Sequence, residues 1–367
     1  MNKTNTPHPA FHLNGVPFHD DPDEFFRHLS GTFPAGGPAT DYAQDIQDFI
    51  REYLDAKAYV VCHTSGSTGT PKPILLEKRR METSARLTIV RFDLPPGSRA
   101  LLCLPVSYIA GKMMLVRAMI GGWDLTATPP SSRFMEQVTG RFDFAAVVPM
   151  QLYRSAGQLH RIDRILVGGG SVSEAFLDTL PTLNLPRTTL YQSYAMTETI
   201  THVALRQLYP SRENAYTALD GVSFSLSPHG TLRIHAPALC ADTVTTNDIG
   251  ELTDDKHFIW RGRADTVINS GGIKIFPEDT ENVLSRFLTG RYFVAGRPDD
   301  LLGTRQVLFV EGTPEQFPGL EAFLETHFDA YHRPKEMFFI PRFPLTHTGK
   351  IDRRHPVFSP NAETREK

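Results

Sequence analysis

The chain reads as an α/β protein: a large N-terminal domain with a helix-flanked mixed sheet plus a small β-rich subdomain, followed by a small mobile α+β C-terminal domain. Three observations predict this. From Ala58 to about Leu190, short apolar runs alternate with segments of helical spacing, the pattern of a parallel sheet covered by helices. After Thr201 the apolar runs shorten and turn residues separate them, as in a β-rich subdomain. Near Asp265 a third texture begins, with a glycine turn and a helix opened by Pro277.

Taken in order, the first forty residues are rich in Pro, Gly, His and Asp and read as a loosely ordered lead-in. Asp45 to Leu54 has helical spacing. Strands are expected over 58–62, 99–104, 123–128, 143–148, 162–167 and 187–191. Helices are expected over 78–91, 109–120, 131–139 and 173–180, the last opened by the capping box Ser171-Val-Ser-Glu174. The short strands of the β-rich part are 231–235, 249–252 and 257–260. In the tail, the turn Ser270-Gly271-Gly272 precedes a helix over 277–288, a strand over 305–310, a helix near 314–327 and a strand over 336–341.

Composition narrows the class. At 367 residues the chain has room for two or three domains and a large core. Its 40% hydrophobic and 22% charged content is that of an ordinary soluble globular protein. A formal net charge of −3 argues against broad nucleic-acid binding or attraction to an anionic membrane. No apolar run is long enough to span a bilayer, and the N-terminus lacks the apolar core of a signal peptide. Cys62, Cys103 and Cys240 are too few and too far apart for a disulfide framework or a zinc site, so a reducing cytoplasm is expected.

Chemistry concentrates in five places. Thr64-Ser65-Gly66-Ser67-Thr68-Gly69-Thr70-Pro71-Lys72 follows directly on an apolar run. Such a loop can turn backbone N–H groups and hydroxyls toward a phosphate, with Lys72 adding a mobile positive charge. It lacks the G-x-x-x-x-G-K-[ST] spacing of the common P-loop, and the lesser alternative for it alone is a surface turn rich in Gly, Ser and Thr. Tyr191-Gln-Ser-Tyr-Ala-Met-Thr-Glu-Thr199 brings an aromatic ring, hydroxyls and a carboxylate together, and Glu198 is of the type that holds Mg²⁺ beside substrate phosphates. Asp248 in Thr246-Asn-Asp can accept from both hydroxyls of a ribose, although Asn-Asp is also an everyday turn. Arg261-Gly-Arg263-Ala-Asp265 stands where the β-rich part gives way to the tail. Gly349-Lys350 lies on a loop near the C-terminus, where a lone lysine is ordinarily a solvated charge.

In this order the five clusters resemble the adenylate-forming superfamily of acyl-CoA and aryl-CoA synthetases, luciferases and peptide-synthetase adenylation domains, over roughly residues 58–352. The resemblance implies an adenylation domain over 1–264, a mobile domain over 265–367 and an active site between them. It implies that a carboxylate attacks the α-phosphate of ATP and that a thiol, generally of coenzyme A, displaces AMP from the acyl-adenylate. On it, Lys350 bridges the carboxylate and the α-phosphate, Thr64, Ser65, Gly66, Ser67, Thr68, Gly69 and Lys72 hold the β- and γ-phosphates, and Thr197 touches the α-phosphate. Glu198 binds Mg²⁺, Asp248 and Arg263 hold the ribose, and Tyr194 with Gly168-Gly169-Gly170 flanks the adenine. Asp265 matches the hinge, and Ser270, Gly271 and Gly272 line the thiol tunnel after rotation.

The segment Leu104-Pro-Val-Ser-Tyr-Ile-Ala-Gly111 with Arg117 beyond it looks like that of the o-succinylbenzoate–CoA ligases of menaquinone biosynthesis. Their substrate carries two carboxylates, so the one that is not activated calls for a cation or donors in the pocket. Arg117, Lys112 and His202 are the candidates, with Tyr108 as a gating aromatic where many relatives have an aromatic-His pair. Only 63 residues precede Thr64, so an N-terminal subdomain is expected to be reduced. Three readings stay open: this ligase, an adenylating enzyme for another aryl or fatty acid or a carrier-protein thiol, and an inactive nucleotide-binding homologue. Self-association is also open.

Overall fold

The chain is seen in a computed structural model that describes residues 6–18, 21–33, 36–63, 73–345 and 351–358. Its main sheet has thirteen strands among the described residues. Across the sheet they run Ser223–Leu226, Thr231–His235, Val244–Leu252, His257–Arg263, Tyr216–Ala218, His202–Tyr209 and Thr189–Ala195. They continue through Ile162–Val167, Phe142–Val147, Arg99–Leu102, Asp124–Ala127, His12–Leu13 and Val16–Pro17. From Thr189–Ala195 to His12–Leu13 neighbouring strands are parallel, and on the other side they are antiparallel. The β-rich part is thus joined edge to edge with the α/β part.

Side chains alternate across a strand, and both faces of the parallel strands are buried. Ala100, Leu102, Phe144, Ala146 and Leu166 pack on one face, while Leu101, Ala145, Val147, Ile165 and Val167 pack on the other. Helices Lys78–Arg91 and Ile109–Gly121 cover the first of these faces. The second helix is apolar nearly all round and lies close against the preceding loop: a Cβ on Gly111 would stand 2.2 Å from the carbonyl oxygen of Pro105. Only glycine permits that approach.

A second, five-stranded sheet is built from Ile268–Ser270, Ile273–Ile275, Tyr292–Asp299, Gly303–Glu311 and Glu336–Ile340. Its own two cores contain no residue before Ile268. Gly271 and Gly272, at φ +57° and +85°, form the two-residue turn between its first strands, where both central positions need left-handed backbone. Tyr59–His63 and Pro73–Glu77 form a separate antiparallel hairpin. No helix among the described residues is long and apolar enough to cross a membrane, and the three cysteines are buried and free.

Several expectations need correction. The lead-in is not loosely ordered where it is described: Asp21 caps a helix over Pro22–Ser30, and Phe11, Phe25, Phe26 and Leu29 are buried in the main core. Apolar anchors at 11, 25, 26 and 29 outweigh the turn-rich composition around them. The expected helix over 131–139 is a single turn of 3-10 helix, Phe134–Gln137, between Pro129-Pro130 and Gly140, which has φ +83°. The helix near 174 is capped by Ser173, not Ser171, its side chain accepting from Phe176 N at 3.3 Å. Strand Tyr292–Asp299 was hidden by Gly296 and Pro298, which an edge strand tolerates.

Candidate active site

The carboxyl ends of adjacent parallel strands bring together the glycine run and the aromatic strand expected to flank a nucleotide. Ile162–Val167 runs out into Gly168-Gly169-Gly170, and Thr189–Ala195 lies beside it, so its side chains reach the glycines. Gln192 donates through Nε2 to the carbonyls of Gly170 (2.9 Å) and Val167 (3.4 Å) and accepts at Oε1 from Val172 N (3.2 Å). Ser193 Oγ donates to Val167 O at 2.9 Å. The shape of the glycine loop is therefore held by two side chains of the neighbouring strand.

Tyr194, next along, is 8% exposed. Its ring meets Phe258 edge-on at 5.0 Å between centroids, with Tyr216 at 5.9 Å and Phe224 at 6.1 Å. Its hydroxyl donates to Asp248 Oδ2 at 2.7 Å. Burial, with the Asp248 carboxylate beside it, pushes the phenol far above its usual range, so it stays a donor. Asp248 lies opposite Arg263 in the ladder, and Arg263 grips Asp265 through Nε (3.0 Å) and Nη2 (3.2 Å). Tyr194, Asp248, Arg263 and Asp265 are thus linked in series, by hydrogen bond, ladder pairing and ion pair.

Thr197–Thr199 is one turn of 3-10 helix with Glu198 exposed. Ile200 follows at φ +68°, ψ −64°, and Thr201 N bonds Thr199 O at 2.8 Å. This is a γ-turn with positive φ at a β-branched residue, a conformation that costs on the order of 1–3 kcal/mol. The turn sends Glu198 outward and Thr201 and His202 inward. An exposed carboxylate there fits an oxygen ligand of Mg²⁺ shared with phosphate, which needs few protein groups. Among the described residues no three His, Cys, Asp or Glu side chains converge on a metal position.

Directly behind this turn lies Arg117, 2% exposed. Its Nε donates to Thr88 Oγ1 (3.1 Å), its Nη2 to Thr201 Oγ1 (3.3 Å), and its Nη2 lies 3.5 Å from His202 Nδ1. Ser84 Oγ reaches Thr201 Oγ1 at 2.8 Å. Burial lowers the guanidinium to about 10, and burial with Arg117 beside it holds His202 well below the usual imidazole range. The cation is consequently surrounded by neutral acceptors, with no carboxylate among its described partners.

The structure brings Arg117 and His202 together but not the other two substrate candidates. Lys112, five residues before Arg117, points to another side of the helix: Nζ bonds Val61 O (3.2 Å) and Glu52 (3.5 Å) and lies over the Phe49 ring. Tyr108 is exposed at the start of that helix. Ser270 is buried, while Gly271 and Gly272 are exposed at the tip of the second sheet. Thr64, Ser65, Gly66, Ser67, Thr68, Gly69, Lys72 and Lys350 lie outside the described residues. Sequence reasoning missed Ser84, Thr88, Thr201 and Gln192. Ser84 and Thr88 carried a signal: they are polar residues four apart on the buried face of one helix.

The model of the AMP-binding enzyme family matches residues 36–234, more than half of the chain and the part that carries the glycine loop and the Thr-Glu turn, and the chain belongs to that family. It is 27% identical over 334 residues to the 2-succinylbenzoate–CoA ligase of Listeria monocytogenes, covering 81% of this chain and 69% of that protein. It is 29% identical over 343 residues to the probable 2-succinylbenzoate–CoA ligase of Mycobacterium tuberculosis, covering 83% and 85%. An acyl-CoA synthetase (AMP-forming)/AMP-acid ligase II-like protein from Dyadobacter fermentans is 38% identical, with a TM-score of 0.58 over 85% of this chain and 93% of that one. The o-succinylbenzoate coenzyme A synthetase of Bacillus subtilis, solved with ATP and magnesium ion, shares the fold at a TM-score of 0.69 and 20% identity over 80% and 69%.

Proposed function

We propose that the chain is an ATP-dependent acid–CoA ligase that converts o-succinylbenzoate to o-succinylbenzoyl-CoA in two steps. First, a carboxylate oxygen of the acid attacks the α-phosphorus of ATP, the bond to the β-phosphate oxygen breaks and pyrophosphate leaves. Then the sulfur of coenzyme A attacks the acyl carbon, the acyl C–O bond breaks and AMP leaves. The first step brings an anion to a polyanion, so fixed positive charge and hydrogen-bond donors dominate the catalytic demand.

In this reading Asp248 accepts from the ribose hydroxyls while Tyr194 holds its second oxygen. Gly168–Gly170, kept in shape by Gln192, backs the adenine. Glu198 holds Mg²⁺, which screens phosphate charge when bound. Lys350 supplies the cation between carboxylate and α-phosphate, and the Thr64–Lys72 loop cradles the leaving pyrophosphate. Residues 1–264 and 265–367 act as two bodies hinged at Asp265, a division supported by their separate cores. Rotation there withdraws Lys350 and brings Ser270-Gly271-Gly272 to the thiol. The partners are a small carboxylic acid, ATP and coenzyme A, and the compartment is the cytoplasm.

The observation that carries the choice of acid is Arg117. A buried guanidinium surrounded by neutral acceptors, directly behind the Thr197–Thr199 turn, suits a substrate with a second carboxylate to be neutralised. The same acid is named for the curated relatives. Pyrophosphate release across a panel of carboxylic acids, with and without coenzyme A, tests both parts. A signal from o-succinylbenzoate that continues to turn over with coenzyme A is expected. A signal only from benzoates or fatty acids overturns the substrate, and turnover only with a carrier-protein thiol overturns the acceptor.

A further inference from the structure

We infer that Arg286 is a positioning residue for the reaction: it clasps the helix that follows the adenine loop and holds the C-terminal body in the orientation that serves adenylation. The inference rests on the two-body reading above. Arg286 follows the helix Pro277–Leu284 of the second body. Its Nε donates to Asp178 Oδ2 at 2.9 Å and its Nη2 to Glu174 Oε2 at 3.5 Å. Both carboxylates sit on the helix Glu174–Thr179 of the first body, a few residues beyond Gly170. On that side they are already ordered by Arg212, which donates to Asp178 at 2.9 Å and to Glu174. Beside the pair, Ser285 Oγ, itself buried, accepts from Ala175 N at 3.3 Å.

A single exposed ion pair contributes little. Here two carboxylates held between two forked guanidiniums form a network, and its effect need only tilt an equilibrium between two domain arrangements. Arg286 is the foremost of the groups that hold the Asp178 carboxyl below its usual range, ahead of Arg212. In the orientation so held the glycine turn is not closed on by the first body: Gly271 and Gly272 are exposed, a Cβ at Gly272 would meet nothing within 4 Å, and one at Gly271 would meet only Leu302 of the same body. Releasing the clasp should therefore slow the first half-reaction relative to the second.

The test combines distance with half-reaction rates. Spin labels on Val90→Cys and Leu301→Cys, both exposed and one on each body, report the separation without any need for turnover. The native cysteines are buried. Arg286→Glu, which sets a third carboxylate against Glu174 and Asp178, should broaden and shift the distance distribution, while Arg286→Lys should leave it nearly as in the parent. Raising salt to about 0.5 M should broaden the distribution of the unsubstituted labelled protein too, because exposed pairs are screened. That arm stands even if the substituted protein does not fold. Pyrophosphate release should fall several-fold in Arg286→Glu, with thioester formation from premade acyl-adenylate unchanged or faster. An unchanged distance distribution, or equal slowing of both half-reactions, overturns the inference. If the parent protein activates no acid at all, the proposed ligase fails, and the distance measurement still judges the clasp.

Discussion

Replacing Arg117 by Met separates a substrate role from a purely structural one, because only a substrate role makes the loss of activity depend on the acid offered. Burial brings the guanidinium from 12.5 to about 10, and at about 1.4 kcal/mol per pH unit its charge is buried at a cost of roughly 3 kcal/mol. Met fills similar volume and removes that cost. It also leaves Thr88, Thr201 and His202 without a charged donor, which costs about 1.5–3 kcal/mol for each hydrogen bond lost. The loss exceeds the gain by a few kcal/mol, so the midpoint of thermal unfolding should fall by several degrees. Activity should not be spared. Truncating one partner of a buried charge pair costs about 2–5 kcal/mol, so kcat/KM for o-succinylbenzoate should fall by about two to three orders of magnitude. Activity toward acids with one carboxylate should fall far less. The assays are scanning calorimetry and pyrophosphate release with both classes of acid. Equal loss of activity toward every acid would refute the reasoning.

Three further outcomes are expected. Tyr194→Phe keeps the ring contacts with Phe258 and removes the 2.7 Å bond to Asp248; a hydrogen bond to a charged group contributes about 1.5–3 kcal/mol, so KM for ATP should rise about tenfold or more with a smaller change in kcat, and an unchanged KM would show that Asp248 needs no such support. His202 titrates below its unfolded value, so the unfolded chain binds the extra proton first. Stability is thus full above about pH 6.5 and falls below it by at most about 1.4 kcal/mol per pH unit; denaturant unfolding from pH 7.5 to 5 should show a slope that His202→Asn reduces, and equal slopes would contradict the assignment. Lys350→Ala should abolish acyl-adenylate formation yet spare thioester formation from premade acyl-adenylate, and equal loss of both would count against two alternating orientations.

Much of this protein is written locally. The helix over Lys78–Arg91 and the strand Ile162–Val167 were legible residue for residue, because apolar periodicity repeats within one element and needs no distant partner. The motif order was legible for the same reason, since each cluster is a short contiguous run of sequence. Tertiary structure decided what depends on residues far apart in the chain. Tyr194 meets Asp248 although three strands lie between Thr189–Ala195 and Val244–Leu252 in the sheet, an approach that no local pattern sets. Arg117 joins Thr88 and Thr201 while Lys112 turns away, because a helix places residues five apart on different faces. The lead-in folds onto the core because its phenylalanines find apolar surface built by residues a hundred positions later. Local pattern fixes elements through short-range backbone and burial preferences, whereas a buried charge acquires its meaning from the groups that long-range packing sets around it.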